Sequence, residues 1–221
     1  MRGVLFDLEG TLVESAYQQS PETIDELRAK TRQELLALGV PQEILSGIVR
    51  SYALRNAAYE WAEANLEPGA VIKLREAVEA FMRPYDLGSA SRTVLYPDTV
   101  NALTTLRAAG VEMGVVTNTS SEAAHRVLSS LGIEGFFRVV SSRSDVPRLK
   151  PDPAMIRHAA SGMISEVGWL VGDSIFDAEA ATNAGIRSII VARDGLPPGF
   201  PHDHWAETLD GAVRVILDAS P

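Results

Sequence analysis

The sequence predicts an α/β protein with a Rossmann-like, doubly wound parallel sheet and an inserted α-helical domain. Two observations support this class. From about residue 92 onward, short apolar segments of strand length alternate with helical segments, and an isolated apolar segment near the N-terminus completes the sheet. Between them lies a region rich in glutamate, alanine, leucine and arginine without strand signals. We therefore assign residues 1–14 and 92–221 to the α/β core and residues 15–91 to the helical domain.

The first strand and the first inserted helix have clear boundaries. The apolar segment Gly3–Phe6 ends at Asp7 and leads into a glycine-containing loop, which is typical of a buried parallel strand. Ser20 and Pro21 then begin a helix, with a capping serine and a proline in the first turn, and Gly39 ends it. The helical domain contains two further predicted helices, at residues 41–63 and 70–81.

The remaining segments alternate regularly between helix and strand. Helices are predicted at residues 99–109, 122–131, 153–161, 176–184 and 212–219. Strands are predicted at residues 112–117, 138–141, 168–171 and 188–192. Repeated alternation of this kind is typical of a parallel sheet with right-handed crossovers, so we expect the N-terminal strand to join the same sheet.

The composition narrows the range of functions before any motif is considered. The 221 residues carry a formal net charge of −9 and form no basic stripe, which argues against nucleic acid as a partner. The chain contains no cysteine, so disulfides, thiolate nucleophiles and thiolate metal sites are excluded. No apolar segment approaches the roughly 18 residues of a membrane span, and the N-terminus does not resemble a signal peptide. These features predict a cytoplasmic protein that does not bind membranes.

Polar side chains follow the predicted strands at the points where the strands end. These residues are Asp7, Glu9 and Thr11, then Thr117 and Asn118, then Lys150 before a later helix, and finally Asp173 and Asp177. Because ligands bind at the carboxyl ends of parallel strands, we expect these side chains to converge. Taken singly, the acids also fit helix caps or residues of a first helical turn. Together, several carboxylates at one point require a divalent cation and an ammonium, and oxygen ligands favour Mg²⁺.

Four of these segments, in this order, resemble the motifs of the haloacid dehalogenase-like (HAD) hydrolase superfamily. The resemblance is to its phosphatase branch with a helical cap inserted after the first strand, which includes phosphoglycolate phosphatases. The matching segments are residues 6–12 (FDLEGTL), 116–118 (VTN), 150–151 (KP) and 172–177 (GDSIFD). The resemblance covers the core, roughly residues 1–14 and 92–195, whereas the cap matches only in its helical character.

The resemblance implies a Mg²⁺-dependent phosphatase that works through an aspartyl-phosphate intermediate. Asp7 is the implied nucleophile, which splits one displacement at phosphorus into two. Mg²⁺ is expected on the carboxylates of Asp7 and Asp173 and, in this family, on the backbone carbonyl of Glu9.

The implied phosphoryl-binding residues are Thr117, Asn118 and Lys150, with Thr117 donating a hydrogen bond and Lys150 neutralising charge. Only three of the 20 basic residues are lysine, so an ammonium at position 150 fits a site that needs a compact charge. Asp177 lies one helical turn beyond the metal-binding aspartate. Like Thr11, it is expected just outside the direct ligands, where it would orient Lys150 or a water bound to the metal.

Glu9 departs from the aspartate that phosphatases of this family usually carry as general acid and base. The additional methylene shifts the proton-transfer atom by about one bond length, and a misplacement of about 1 Å can cost roughly 100-fold in rate. Because glutamate retains the carboxyl group, we interpret Glu9 as functional. The family's dehalogenases carry an uncharged residue here, so the resemblance favours phosphate esters over carbon–halogen bonds.

The cap is expected to select the substrate. Tyr17 is the candidate substrate-binding residue of this region, next to Gln18 and Gln19. Arg50 or Arg55 is a candidate anchor for a substrate carboxylate. A cap of this size favours a small phosphorylated metabolite, such as phosphoglycolate or a sugar phosphate.

Three alternatives to a phosphatase stay open from the sequence. A phosphomutase of the β-phosphoglucomutase type would use the same core and return the phosphate to the sugar. A 2-haloacid dehalogenase needs no metal, and Glu9 together with Asp173 argues against it. A catalytically impaired phosphate-binding module would retain the fold without turnover. The sequence also leaves monomer and homodimer undecided.

Overall fold

The computed structural model describes residues 3–15 and 21–219, with side chains described from residue 24 onward in the second range. The chain divides into two compact units. The larger unit comprises Met1–Ser15 and Arg92–Pro221, and the smaller unit comprises Ala16–Ser91. No helix in the described ranges is both long enough and apolar enough to cross a membrane.

The larger unit is built on a six-stranded sheet. Its strands are β1 (Gly3–Phe6), β4 (Met113–Val116), β5 (Val139–Ser141), β6 (Val167–Gly172), β7 (Arg187–Val191) and β8 (His204–Ala206). The strand order is β5-β4-β1-β6-β7-β8, and every neighbouring pair is parallel. Two short antiparallel strands, β2 (Val13–Glu14) and β3 (Val94–Leu95), form a separate pair.

The central position of β1 follows from its sequence. All four residues of β1 are buried, as are all four of β4. A strand that is covered on both faces carries apolar residues without alternation, and the sequence of β1 has this pattern. The chain adds β4 and β5 on one side of β1 and then β6, β7 and β8 on the other. Strand order therefore reverses at β1, and a reversal of this kind opens a crevice at the carboxyl ends of the strands.

Five helices and two 3-10 turns complete the described part of the larger unit. The helices are α5 (Thr99–Ala108), α6 (Ser121–Ser130), α7 (Ala154–Ser161), α8 (Ile175–Ala184) and α9 (Leu209–Asp218). The 3-10 turns are Glu134–Phe136 and Arg143–Asp145. Helices α5 and α9 pack together, as do α7 and α8, and members of both pairs contact the sheet. The predicted α/β, Rossmann-like fold class is confirmed.

The described residues of the smaller unit form four helices joined by short connections. Its helices are α1 (Pro21–Ala37), α2 (Gln42–Leu45), α3 (Ser51–Asn65) and α4 (Pro68–Ala90). They enclose an apolar core of their own, whose members are Leu35, Val40, Leu45, Leu54, Ala58, Tyr59, Ala62, Val71, Leu74, Val78 and Met82.

The structure corrects several predicted element boundaries. The helix predicted at residues 41–63 is two helices, because Gly47 adopts a left-handed φ of 72° in the connection between them. The helix predicted at residues 70–81 continues through Pro84 to Ala90, and its last turns bury Met82, Asp86 and Ala90. Strands β2, β3 and β8 are absent from the prediction, since each has only two or three residues and no apolar run.

Candidate active site

The polar residues that follow β1, β4 and β6 meet where the strand order reverses. Asp7 directly follows β1, and its backbone N–H donates to the Val171 carbonyl of β6 at 2.8 Å. Thr117 follows β4, and Asp173 follows β6. The ends of three adjacent strands therefore present these side chains side by side, as the ends of the apolar runs predict.

Lys150 links two of the acids from the loop that leads to α7. Its Nζ lies 2.8 Å from Oδ1 of Asp7 and 2.6 Å from Oδ1 of Asp177, and it also donates to the Val116 carbonyl at 3.3 Å. Its side chain is 3% exposed, and the side chain of Asp177 is fully buried. A buried ammonium with three oxygen partners is held in one position, so Lys150 is a fixed positive charge beside Asp7.

Asp177 has a second task at the start of α8. Its Oδ2 accepts the Ser174 backbone N–H at 3.1 Å and the Ser174 hydroxyl, an arrangement that belongs to a helix-capping box. Gly172 makes room for this carboxylate, because a Cβ at that position would lie 2.7 Å from Oδ2 of Asp177. Asp177 is therefore fixed by the helix start on one oxygen and bound to Lys150 by the other.

Three carboxylates surround one point of the site. Asp7, Asp173 and Asp177 each offer an oxygen, and these oxygens lie within 4.8 Å of one another. Against the single ammonium of Lys150, three ionised carboxylates leave two negative charges uncompensated. The donor set is made of hard oxygen atoms, and the charge deficit equals that of one divalent cation, so the residues fit Mg²⁺.

The electrostatics of the site are dominated by burial. Burial raises the pKa of Asp7 to about 6, with the charge of Asp177 adding to the rise and the charge of Lys150 opposing it. Burial also raises the pKa of Asp173 well above its usual range, together with the charges of Asp7 and Asp177. Burial alone would lower the pKa of Lys150, but its two carboxylate partners outweigh burial and raise it. The ammonium thus stays charged, while burial and mutual repulsion disfavour the charged forms of Asp7 and Asp173.

Thr117 and Asn118 line the same edge and have different partners. Thr117 is fully buried, and its Oγ1 accepts the Thr119 backbone N–H at 3.2 Å, which leaves the hydroxyl proton available for donation. The side-chain oxygen of Asn118 accepts the Lys150 backbone N–H at 3.2 Å. Asn118, predicted as a substrate-binding residue, therefore also positions the backbone of Lys150.

Glu9 and Thr11 lie in the short turn that follows Asp7. Glu9 is half-buried and forms an isolated bridge with Val13. Thr11 is fully buried, and its hydroxyl finds no hydrogen-bond partner among residues 3–15 and 21–219. Tyr17, with Gln18 and Gln19, lies outside the described residues, so its predicted contact with substrate stays a prediction.

The two arginines considered as substrate anchors differ in their surroundings. Arg50 is exposed, at the residue that precedes α3. Arg55 is 4% exposed, and its Nε lies 3.2 Å from Glu79 while its guanidinium stacks 4.3 Å from the ring centre of Tyr59. Arg55 therefore contributes to the packing of the helical unit, a role that its position on a predicted helix did not reveal.

Sequence reasoning missed one group of residues next to the site. Arg193 follows β7, forms a forked ion pair with Asp98 and donates to the Thr11 carbonyl at 3.2 Å. Asp98 directly precedes the helix predicted at residues 99–109, and nothing in the local sequence links it to Arg193. An arginine almost a hundred residues away from its aspartate leaves no local pattern.

Comparisons with known proteins agree with the fold. The family model of haloacid dehalogenase-like hydrolases matches residues 1–185. A phosphoglycolate phosphatase of Nitrosococcus oceani is 27% identical over 226 residues, covering 98% of this chain and 92% of that protein. A phosphoglycolate phosphatase of Cereibacter sphaeroides is 32% identical over 187 residues, covering 85% of this chain and 83% of that protein.

A solved structure gives the same result for the fold. The crystal structure of a haloacid dehalogenase-like hydrolase from Bacteroides fragilis aligns with a TM-score of 0.63 at 21% identity, over 94% of this chain and 97% of that chain. The chain therefore belongs to the haloacid dehalogenase-like hydrolases, and the resemblance based on the four motifs is confirmed.

Proposed function

We propose that this chain is a Mg²⁺-dependent phosphatase that hydrolyses a small-molecule phosphate monoester through an aspartyl-phosphate on Asp7. The observation that carries the proposal is the ion pair of 2.8 Å between Asp7 and the buried Lys150, within a cluster of three carboxylates at the ends of the strands. Phosphoryl transfer requires positioning and charge neutralisation around an anionic phosphorus, and these groups supply both.

Asp7 is held by one of its two oxygens. Its Oδ1 accepts the Leu8 backbone N–H at 2.8 Å and the Lys150 ammonium at the same distance. These contacts fix the direction of Oδ2, which attacks phosphorus while the bond to the leaving oxygen breaks. Lys150 and the hydroxyl of Thr117 stabilise the charge that develops on the transferring phosphoryl oxygens.

Glu9 supplies the proton in the first step and recovers it in the second. As a general acid, it protonates the leaving alkoxide when the ester bond breaks. As a general base, it then removes a proton from water, whose oxygen forms a bond to phosphorus as the bond to Asp7 breaks. Inorganic phosphate leaves, and Asp7 and Glu9 return to their starting states.

The proposed metal ligands are the carboxylates of Asp7 and Asp173 and the backbone carbonyl of Glu9. Bound Mg²⁺ would neutralise the phosphate and hold it against the nucleophile. Asp177 orients Lys150 rather than substrate, since both of its oxygens are engaged by Lys150 and Ser174.

We also propose that residues 15–91 are the cap domain of this family and that the substrate is a small phosphorylated acid such as 2-phosphoglycolate. The names and high coverage of the two phosphoglycolate phosphatases support this substrate class. A dehalogenase uses an aspartate nucleophile without a metal, and the surplus of buried carboxylates argues against it. A phosphomutase shares the same core chemistry, and the products formed in the activity test distinguish it from a phosphatase.

The test is phosphate release from 2-phosphoglycolate, from sugar phosphates and from p-nitrophenyl phosphate. Activity should require Mg²⁺, be abolished by EDTA and be lost in Asp7→Asn. Asp210→Asn is the matched control, because Asp210 is a half-buried aspartate of α9 whose side chain accepts a hydrogen bond from the Asn101 side chain. Isomerisation of a sugar phosphate without net release would indicate a mutase, and Mg²⁺-dependent phosphate binding without turnover would indicate a binding module.

A further inference from the structure

The turn that carries Glu9 is compact but short. The backbone N–H groups of Leu12 and Val13 both donate to the Leu8 carbonyl, at 2.9 and 3.0 Å, and the Gly10 N–H donates to the Val13 carbonyl at 2.7 Å. These bonds fix the shape of the turn, but they all lie within the turn itself. Its location relative to the sheet is therefore set by its chain connections to β1 and β2 and by contacts to other elements.

Two successive carbonyl groups of this turn are held from outside. The Thr11 carbonyl accepts from Nη2 of Arg193 at 3.2 Å. The Leu12 carbonyl accepts from the Thr99 hydroxyl at 2.6 Å and from the Tyr96 backbone N–H at 3.3 Å. Both sets of donors lie in the same core unit as Asp7, on segments that come from distant parts of the chain.

Arg193 is itself rigidly placed. Its Nη1 and Nη2 lie 3.0 and 3.1 Å from the two oxygens of Asp98, and its guanidinium stacks 3.8 Å from the ring centre of Tyr96. Asp98 in turn accepts the Leu209 backbone N–H, at the start of α9, at 2.8 Å. A planar guanidinium suits this combination of a forked ion pair, a ring stack and a carbonyl contact, and a lysine ammonium does not.

The contact between Arg193 and the Thr11 carbonyl bears on catalysis because it lies close to Glu9 in the sequence. Thr11 is two residues beyond Glu9 in a turn whose internal bonds make it move as one piece. Proton transfer by a general acid contributes about 10²–10⁴-fold to rate and depends on placement within about 1 Å. A displacement of the turn backbone therefore moves the carboxyl group of Glu9 with it.

We propose that Arg193 is a positioning residue for the reaction: by holding the Thr11 carbonyl while bound to Asp98, it sets the location of the turn that places Glu9 for proton transfer. The inference rests on the proposed phosphatase function. Arg193 does not touch the substrate in this proposal, and its effect reaches the reaction only through Glu9.

The test compares two esters of similar size and different leaving groups. p-Nitrophenyl phosphate releases a stable phenolate that needs little protonation, whereas benzyl phosphate releases an alkoxide that needs a general acid. The parameter is kcat/KM, because it ends at the first irreversible step and excludes hydrolysis of the aspartyl-phosphate. Glu9→Gln provides the reference for loss of the acid.

We expect Arg193→Lys to lower kcat/KM for benzyl phosphate at least tenfold and for p-nitrophenyl phosphate less than threefold. In a Glu9→Gln background, Arg193→Lys should cause no further selective loss. Arg107→Lys is the matched control, because Arg107 also stacks on a ring, that of Phe136, and donates to a backbone carbonyl, that of Gly135. It should change neither value.

Equal losses on both esters would mean that Arg193 has a purely structural role and would overturn the proposal, as would wild-type activity on both. Asp98→Asn, which weakens the forked ion pair while retaining Arg193, should give the same selectivity on a smaller scale. If Arg193→Lys fails to fold, Asp98→Asn decides the question. Equal losses of kcat/KM on the two esters in Asp98→Asn would then overturn the proposal. A wild-type protein that hydrolyses neither ester would instead refute the proposed phosphatase function.

Discussion

Replacing Gly172 with alanine tests whether Asp177 and Lys150 act as one fixed unit. An ideal Cβ on Gly172 would lie 2.7 Å from Oδ2 of Asp177 and closer still to its Cβ and Cγ atoms. Gly172 is not one of the glycines with a left-handed φ, so alanine is compatible with its backbone. The perturbation is therefore steric, and it falls on a fully buried carboxylate.

The expected magnitude follows from the contacts that Asp177 would lose. Overpacking of a buried site costs about 1–3 kcal/mol, and weakening the hydrogen bonds that cap α8 adds about 1 kcal/mol. We expect Gly172→Ala to lower the free energy of unfolding by about 2–4 kcal/mol and Tm by about 5–10 °C in a chain of this size. Because Lys150 is bound to Asp177, a displaced Asp177 also displaces Lys150, and kcat/KM should fall about 100-fold.

The assay combines thermal unfolding, followed by tryptophan fluorescence, with phosphate release. Gly135→Ala is the matched control, since nothing lies within 4 Å of a Cβ at that position. The control should unfold within about 0.5 kcal/mol of the wild type and retain its activity. A Gly172→Ala protein with wild-type Tm and kcat/KM would refute the fixed arrangement of Asp177 and Lys150.

Three further predictions concern single charged groups. Lys150→Met should abolish turnover and, in EDTA, destabilise the protein to urea by about 3–5 kcal/mol, since it leaves two buried carboxylates unpaired; equal stability would contradict it. Burial favours a higher pKa of Glu112, but hydrogen bonds from the backbone N–H groups of residues 164–165 outweigh burial and lower it. The ionised Glu112 side chain therefore stabilises the folded protein fully above the unfolded pKa of about 4.3, and this stabilisation is lost as pH falls through the lower folded pKa. Glu112→Gln should therefore be destabilised to urea at pH 7, and an undiminished difference at pH 3 would be inconsistent with this linkage. Arg55→Lys should lower Tm by disrupting its contact with Glu79 and leave KM for 2-phosphoglycolate unchanged, whereas a raised KM at unchanged Tm would indicate that Arg55 anchors the substrate.

The residues at the strand ends were predictable because two sequence patterns coincide there. A buried parallel strand reads as an uninterrupted apolar run, so the first polar residue after it marks the carboxyl edge of the sheet. Asp7, Thr117 and Asp173 each occupy such a position. Asp177 was accessible through helical periodicity, because one turn of α8 brings it back to the same edge.

The contacts that hold these residues in place were not predictable in the same way. Lys150 reaches Asp177 and the Val116 carbonyl across 27 and 34 residues of sequence. Arg193 reaches the Thr11 carbonyl across 182 residues. Such pairs obey no period, and their partners are often backbone atoms that every residue possesses. The motif therefore predicts which groups are present, and the tertiary structure determines how firmly each is held.

The buried charge of the site also separates the chemistries that share this fold. A halocarboxylate and a phosphate ester are both anionic, so both would be repelled by a site with three carboxylates and one ammonium. A divalent cation would remove this repulsion, and it would serve a phosphoryl group better than a carbon–halogen bond, since phosphoryl oxygens are strong ligands for hard cations. The same surplus of carboxylates would be a pure cost to a metal-independent dehalogenase, because the charge of Asp177 raises the pKa of Asp7 and so favours the protonated form of the nucleophile. Glu9 is consistent with this argument, since a leaving alkoxide requires a proton and a departing halide does not.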